Sequence, residues 1–254
     1  MRVIDYIKSS NETAFSFEVL PPLKGTCAER LFGNIDRLME FNPGYINITT
    51  HHSEPVYRDM GNGMFSLSSI RRRPGTVAIA TAIHHRYNVP VVPHILCNGY
   101  TLEDTEYVLI DLQLSGINDI LLLRGDKCKG DANTAPAKCG NKNAIDLIRQ
   151  VNRFNEGFFV DGSAMKERGK PFSFGVACYP EKHEEAPNME SDLAVLKMKA
   201  DAGAEYAVTQ MFFDNRKYFD FVERARAMGI DIPIIPGIKP IHRLSQLNVL
   251  PKTF

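Results

Sequence analysis

The sequence predicts an α/β protein of the (β/α)8 barrel type, and three observations carry the prediction. Seven strand-then-helix units follow one another along the chain, an order that builds a parallel sheet. Strands one, two and five each set an apolar face against a small or polar one. A barrel turns its apolar faces to the helices and crowds small and polar residues inside, whereas an open doubly wound sheet is apolar on both faces. The chain shows neither an internal repeat nor a dividing linker, so residues 1–254 read as a single domain.

Residues 1–13 form a short amphipathic lead-in. The first strand lies within Ala14–Pro22, where Phe15, Phe17 and Val19 alternate with Ser16 and Glu18 before Pro21-Pro22 stops it. A helix over Ala28–Phe41 carries Leu31, Ile35 and Leu38 at helical spacing and closes at Asn42-Pro43-Gly44. The second strand is Tyr45–Thr50. A polar, arginine-rich stretch leads to a helix over Val77–Tyr87. The third strand is Val91–Leu96, followed by a helix over Leu102–Leu114 that Gly116 stops. The fourth, Asp119–Leu123, is continuously apolar and therefore buried on both faces. A Lys/Gly/Asn/Pro-rich loop over 127–141 precedes a helix from Ala144 to Phe154. The fifth strand, Phe172–Tyr179, alternates cleanly. A helix over Ser191–Ala202 ends at Gly203, the sixth strand is Tyr206–Phe212, and a helix over Asn215–Met228 ends at Gly229. The seventh strand is Ile232–Ile235, and a last helix begins near Leu244. No eighth strand follows before Phe254, so the expectation is a barrel whose C-terminal strand and helix are missing from this chain.

The composition is that of an ordinary globular chain, 44% hydrophobic and 24% charged. Lys plus Arg and Asp plus Glu number 30 each, so no net field favours nucleic acid or an anionic membrane. The first residues lack a signal-peptide core and no apolar run reaches the length of a membrane span. Five cysteines without framework spacing read as reduced thiols, and the expected location is the cytoplasm.

Strand ends nominate the site, because α/β proteins do their chemistry at the carboxyl ends of strands. Glu18 stands there on the first strand. Its bland alternative is a structural pair with a barrel arginine. Arg124-Gly125-Asp126 closes the fourth strand, as a site or as a structural turn. Tyr179 to His183 follows the fifth. At about 100° per residue, Asp192 and Lys199 lie about 20° apart on the next helix, which by itself reads as a solvated pair. No C-x-x-C, H-E-x-x-H, Rossmann fingerprint, P-loop or G-x-S-x-G occurs, so no metal site is expected.

Eight stretches, in order, resemble the methylenetetrahydrofolate reductase family of flavin-dependent barrel enzymes. They are F-S-F-E-V-L-P-P (15–22), I-N-I-T-T (46–50), P-H-I-L-C (93–97), L-L-L-R-G-D (121–126), A-C-Y-P-E-K-H (177–183), D-L-A-V-L-K-M-K-A-D-A-G-A (192–204), T-Q-M-F-F-D (209–214) and I-I-P-G-I-K-P (234–240). The resemblance implies a barrel holding FAD that takes a hydride from NADH or NADPH. In this ping-pong scheme it then reduces 5,10-methylenetetrahydrofolate to 5-methyltetrahydrofolate, within one-carbon metabolism and methionine biosynthesis. It implies that Glu18 is the general acid and that Asp126 lies beside the flavin, the second catalytic position. Thr49 matches a threonine at the nicotinamide face. Thr50, His52, His94, Arg124, Gly125, Ala144, Tyr179, His183, Ala186, Asp192 and Lys199 match FAD contacts, and Gln210 and Gln246 match substrate contacts. Family members commonly self-associate, so a homo-oligomer is implied. Val195 and Met198 stand where the bacterial enzymes have polar FAD contacts, and Leu250 replaces a stacking phenylalanine. The alternative is a related FAD barrel acting on another substrate, such as proline.

Overall fold

A computed structural model describes residues 2–10, 12–51, 54–125 and 139–249. In chain order the elements are α1 (Val3–Ser9), β1 (Ser16–Val19), α2 (Ala28–Met39), β2 (Tyr45–Ile48), β3 (Glu54–Asp59), β4 (Phe65–Ile70), α3 (Thr76–Tyr87), β5 (Val91–Leu96) and α4 (Leu102–Leu114). They continue as β6 (Asp119–Leu123), α5 (Ala144–Asn155), β7 (Ser173–Cys178), α6 (Met189–Asp201), β8 (Tyr206–Thr209), α7 (Asn215–Ala227), β9 (Ile234–Ile235) and α8 (Leu244–Val249). Helices α4 to α7 start where side chains satisfy their first free N–H groups. Thr101 and Asp104 form a reciprocal capping box on α4, and Asn143, Asn188 and Asp214 accept from the first turns of α5, α6 and α7.

Seven parallel strands pair in the order β1-β2-β5-β6-β7-β8-β9. Apart from a β3–β4 hairpin, spatial order equals chain order. A doubly wound sheet reverses its strand order at a switch point, and this one never does. The sheet therefore curls in one sense, as a partial barrel, and among the described residues β1 and β9 are its two free edges.

Two apolar clusters follow from the alternation. Ile46 and Ile48 of β2, Val91 and Ile95 of β5, Ile120 and Leu122 of β6, and Phe174 and Val176 of β7 face outward onto Leu31, Ile35, Ile83, Leu109, Leu147 and Leu196 of the helices. The opposite faces supply Tyr45, Val92, Leu121 and Tyr206, which meet Val3 and Ile4 of α1. The Val3 N–H donates to the Asp119 carboxylate at 3.0 Å, and Arg2 pairs with Glu205 at 3.3 Å. Both carboxylates sit at strand beginnings, so α1 floors the inside of the sheet at its amino end. The lead-in is thus a structural plug, and the opposite end is left open.

The sequence reading differs from the structure in three places. The polar stretch after the second strand contains the antiparallel hairpin β3–β4, with Tyr57 opposite Leu67 and Asp59 opposite Phe65. Its side chains lie largely exposed, so no buried apolar stripe marked it. The seventh strand is shortened to Ile234–Ile235, because Pro233 has no N–H with which to extend a ladder. The first strand's apolar face is also only partly covered, since Val19 is buried but Phe15 is exposed.

Candidate active site

The open end gathers the carboxyl termini of the strands. Glu18 projects there from β1, beside Asn47 in the parallel register. On β5, His94 is buried, and its Nε2 lies 3.9 Å from Oε2 of Glu18. This contact is not an ion pair. Burial holds the His94 imidazole down to about 4, so it is neutral at physiological pH. Burial likewise pushes the Glu18 carboxyl up, opposed by the positive charge of Lys239. The Glu18 side chain is 59% accessible, yet it sits within the concave mouth, where the surrounding protein thins the bulk water that would stabilise its charge. The result is a carboxyl group biased toward its protonated form and facing open space.

Two buried polar atoms close to this carboxyl have no partner. His94 Nε2 and Asn47 Oδ1 are buried with no hydrogen bond, and deeper inside so is the Tyr206 hydroxyl. Native interiors rarely leave such atoms unsatisfied, and an unsatisfied one calls for a ligand or water. Thr49 donates its N–H to the Val19 carbonyl at 3.1 Å, which links the ends of β1 and β2. The Thr50 hydroxyl donates to the His94 carbonyl at 2.5 Å, which links β2 to β5. Thr50, His94, Leu96 and Tyr100 line a small recess.

At the end of β6, Gly125 takes a φ of +88°, which side-chain-bearing residues rarely adopt. Asn98 fixes this turn: its N–H donates to the Arg124 carbonyl and its amide to the Gly125 carbonyl, each at 3.0 Å. The Arg124 guanidinium pairs with Glu185 from the loop after β7. In that loop the Tyr179 and His183 rings meet edge to face at 4.7 Å. Lys182, at φ +76°, directs its ammonium to the carbonyls of His183 at 2.9 Å, Glu184 at 3.4 Å and Ala186 at 2.6 Å.

The loop is pinned to α6, because the His183 N–H donates to the Asp192 carboxylate at 2.9 Å. Lys199 is buried and donates to the Ala177 carbonyl at 3.0 Å. Burial lowers its pKa, with Asp192 and Cys178 opposing. Asp192 and Lys199 are therefore not a solvated surface pair. Each ties α6 to the end of β7. Ala144 is the first residue of α5, capped by Asn143.

Gln210 follows β8, where its side-chain carbonyl accepts from the Met211 N–H at 2.9 Å, leaving its amide N–H groups for a ligand. Gln246 lies farther out on α8 and caps it, accepting from His242 at 3.0 Å and Arg243 at 2.9 Å. Val195 and Met198 are 38% and 51% exposed on α6, so the substitutions there leave apolar surface. His52, Asp126 and Leu250 lie outside the described residues. Cys97 and Cys178 are buried, each pushed up to about 12 by burial, and so are inert as nucleophiles. Among the described residues no group of three or more His, Cys, Asp or Glu could hold a metal ion, and no helix is long and apolar enough to cross a membrane.

Sequence reading missed Asn47, Asn98 and Lys239, and gave Lys182 no role beyond its place in the Tyr179–His183 stretch. Asn47 shares the polar face of its strand, a signal that was visible, but its place beside Glu18 depends on register. The other three sit in loops, where spacing carries no positional information.

Comparisons with known proteins bear on this site. A family model described as methylenetetrahydrofolate reductase matches residues 3–253. Among curated relatives, methylenetetrahydrofolate reductase (NADH) 1 of Arabidopsis thaliana is 32% identical over 95% of this chain and 38% of its own length. The 5,10-methylenetetrahydrofolate reductases of Pectobacterium carotovorum and Escherichia coli are 34% and 32% identical, over 92% and 91% of this chain and 66% of theirs. The chain thus spans little over a third of the plant relative and just under two thirds of the bacterial ones. Among solved structures, a Clostridium thermocellum protein described as binding two copies of 5-methyl-5,6,7,8-tetrahydrofolic acid superposes with a TM-score of 0.54 at 14% identity, covering 95% of this chain and 72% of that one. A 2,3-dimethylmalate lyase gives a TM-score of 0.55 at 11% identity, covering 99% and 81%. These two likenesses speak to the fold alone.

Proposed function

Because the chain belongs to the methylenetetrahydrofolate reductase family, we propose that it reduces 5,10-methylenetetrahydrofolate to 5-methyltetrahydrofolate, with NADH or NADPH as the electron source. The observation that carries the reading is the Glu18 carboxyl, biased toward its protonated form by burial and opening onto the mouth of the sheet. The reaction adds one proton and one hydride overall. As the methylene bridge opens, a C–N bond breaks and the proton goes to the released nitrogen, while the hydride goes to the bridging carbon. Glu18 is the proton donor. Positioned acids of this kind typically contribute about 10²–10⁴-fold in rate.

The neutral His94 leaves Glu18 uncompensated by positive charge on that side, which keeps its proton available. Gln210 turns its amide N–H groups to the substrate ring, and Gln246 offers its own farther along. Flavin adenine dinucleotide, bound along the same mouth, would supply a two-electron carrier between nicotinamide and folate. The residues present fit that group. The partnerless, buried Nε2 of His94 needs a hydrogen-bond partner, and Arg124 and His183 bring cationic or donor groups to one side of the mouth, where a diphosphate would be held, with Lys199 buried behind them. Thr49, Thr50, Gly125, Ala144, Tyr179, Ala186 and Asp192 complete this proposed contact set, with His52 and Asp126. The plant relatives' names specify NADH, which favours it as donor. The alternative substrate, proline, finds no support among the relatives.

The test is direct. The purified protein is examined for flavin absorbance, bleached anaerobically with NADH, and then given methylenetetrahydrofolate. Return of the oxidised spectrum with formation of 5-methyltetrahydrofolate is expected. A bleached flavin indifferent to the folate would overturn the reading.

A further inference from the structure

Asn47 is a buried polar side chain of the mouth to which no step above gives a role. It stands on β2, which pairs with β1 on one side and β5 on the other. The 3.9 Å contact between Glu18 and His94 therefore passes across its strand. Asn47 is the register partner of Glu18, and such partners leave the same face of strands about 5 Å apart. Ile46 and Ile48 point outward to the helices, which turns Asn47 inward alongside the carboxyl.

Packing does not account for an amide at this position. Asn47 is 7% exposed, and among the described residues nothing donates to its buried Oδ1. An apolar side chain would fill the same space without leaving an acceptor unsatisfied. The nearby hydroxyls are engaged elsewhere. Thr49 donates to the Val19 carbonyl at 3.5 Å, and Thr50 to the His94 carbonyl. An ionised Glu18 has no proton to give and would set its oxygens against Oδ1. The neutral carboxyl carries an O–H, and that form satisfies the amide.

We propose that Asn47 is a positioning residue for the proton of Glu18: its Oδ1 accepts the hydrogen bond of the neutral carboxyl and holds that O–H at the mouth until the folate nitrogen takes it. This deepens the reductase reading and rests on it for the reaction. The other titratable groups acting on the carboxyl are the imidazole of His94, from β5, and the ammonium of Lys239, from the segment after β9. At 3.9 Å the imidazole is beyond hydrogen-bond reach, and an ammonium accepts nothing, so neither holds the proton. In the transfer the Glu18 O–H bond breaks as the folate N–H bond forms. The carboxylate left behind faces Oδ1 with no donor between them, which favours the return of a proton from the solvent at the mouth.

Two measurements on the 254-residue protein test it. The first reads the Glu18 pKa from the carboxyl carbon resonance of protein labelled in its glutamates, assigned by its loss in Glu18→Gln. Asn47→Leu keeps the volume and removes the acceptor, so the pKa should fall by about half to one unit. An unchanged or raised pKa overturns the proposal. Should Asn47→Leu not fold, the isosteric Asn47→Asp decides: it sets a second carboxylate against Glu18, so a raised pKa supports the contact and an unmoved one overturns it. The second measurement is the pH profile of flavin re-oxidation by methylenetetrahydrofolate. Its decline toward high pH should move to lower pH in Asn47→Leu. A decline that stays in place while the KM for folate rises would make Asn47 a substrate contact and overturn the proposal. A lowered Glu18 pKa in a protein that turns over no folate supports the Asn47–Glu18 link while removing the reductase reading. Folate reduction with the pKa unmoved removes the link and leaves the reductase reading intact.

Discussion

His94 Nε2 lies 3.9 Å from Glu18 Oε2, and the two meet without forming an ion pair, because the buried imidazole is neutral. Burial keeps the imidazole neutral and pushes the carboxyl toward its protonated form. A carboxyl whose pKa is raised beside a neutral imidazole suits an acid that must hold its proton until the substrate arrives.

His94 also makes stability depend on pH. Its folded pKa, about 4, lies below the unfolded 6.5, so its contribution is present above 6.5 and is lost as pH falls toward 4. The loss is on the order of 3 kcal/mol. Glu18 works in the opposite sense, its raised pKa favouring the fold at low pH and losing that contribution as pH rises. Denaturant midpoints measured across this range should fall with acidification more steeply for the natural chain than for His94→Asn. Equal slopes would contradict the assignment.

Lys239 draws the Glu18 pKa down against the effect of burial. Since the acid must be protonated, folate reduction falls as pH rises through that pKa. Lys239→Met removes the opposing charge, so the fall should move to higher pH. A profile that stays put or moves to lower pH would separate Lys239 from Glu18.

Inside the sheet, Gly175 faces the ring of Tyr206. A Cβ at Gly175 would stand 2.3 Å from Cε2 of that ring. Tyr206 is fully buried among Tyr45, Val92 and Leu121 and has no room to retreat. Gly175→Ala should cost about 1–3 kcal/mol, read as a drop in Tm of about 2–4 °C per kcal/mol. An unchanged Tm would mean that the interior is looser than described.

The loop after β7 depends on Lys182, whose ammonium collects three backbone carbonyls. Lys182→Met removes all three bonds, each worth about 1 kcal/mol. Hydrogen exchange at the Ala186 amide, bonded to the His183 carbonyl at 3.0 Å, should accelerate while the amides of β7 stay protected. Unchanged exchange at Ala186 would show that the loop is held by Arg124–Glu185 and Asp192 instead.

The strands were legible where burial is one-sided. Ile46 and Ile48, or Phe174 and Val176, mark an outer face by simple alternation, and Gly116, Gly203 and Gly229 marked helix ends. The hairpin β3–β4 was not legible, because Tyr57, Phe65 and Leu67 are apolar yet exposed, which breaks the link between pattern and burial. Spacing could place Glu18 at a strand end but not against His94, since that contact depends on how β1, β2 and β5 curl. Asp192 and Lys199 show the converse. Their helical spacing suits a surface pair, and only the packing of α6 against β7 reveals that Lys199 is buried.

The central claim is that Glu18 donates the proton to folate, and Glu18→Gln tests it most directly, with the two half-reactions followed separately under anaerobic stopped flow. The variant should bind flavin and be bleached by NADH as the natural chain is, while its re-oxidation by methylenetetrahydrofolate slows by about 10²–10⁴-fold. Re-oxidation at the natural rate would contradict the account.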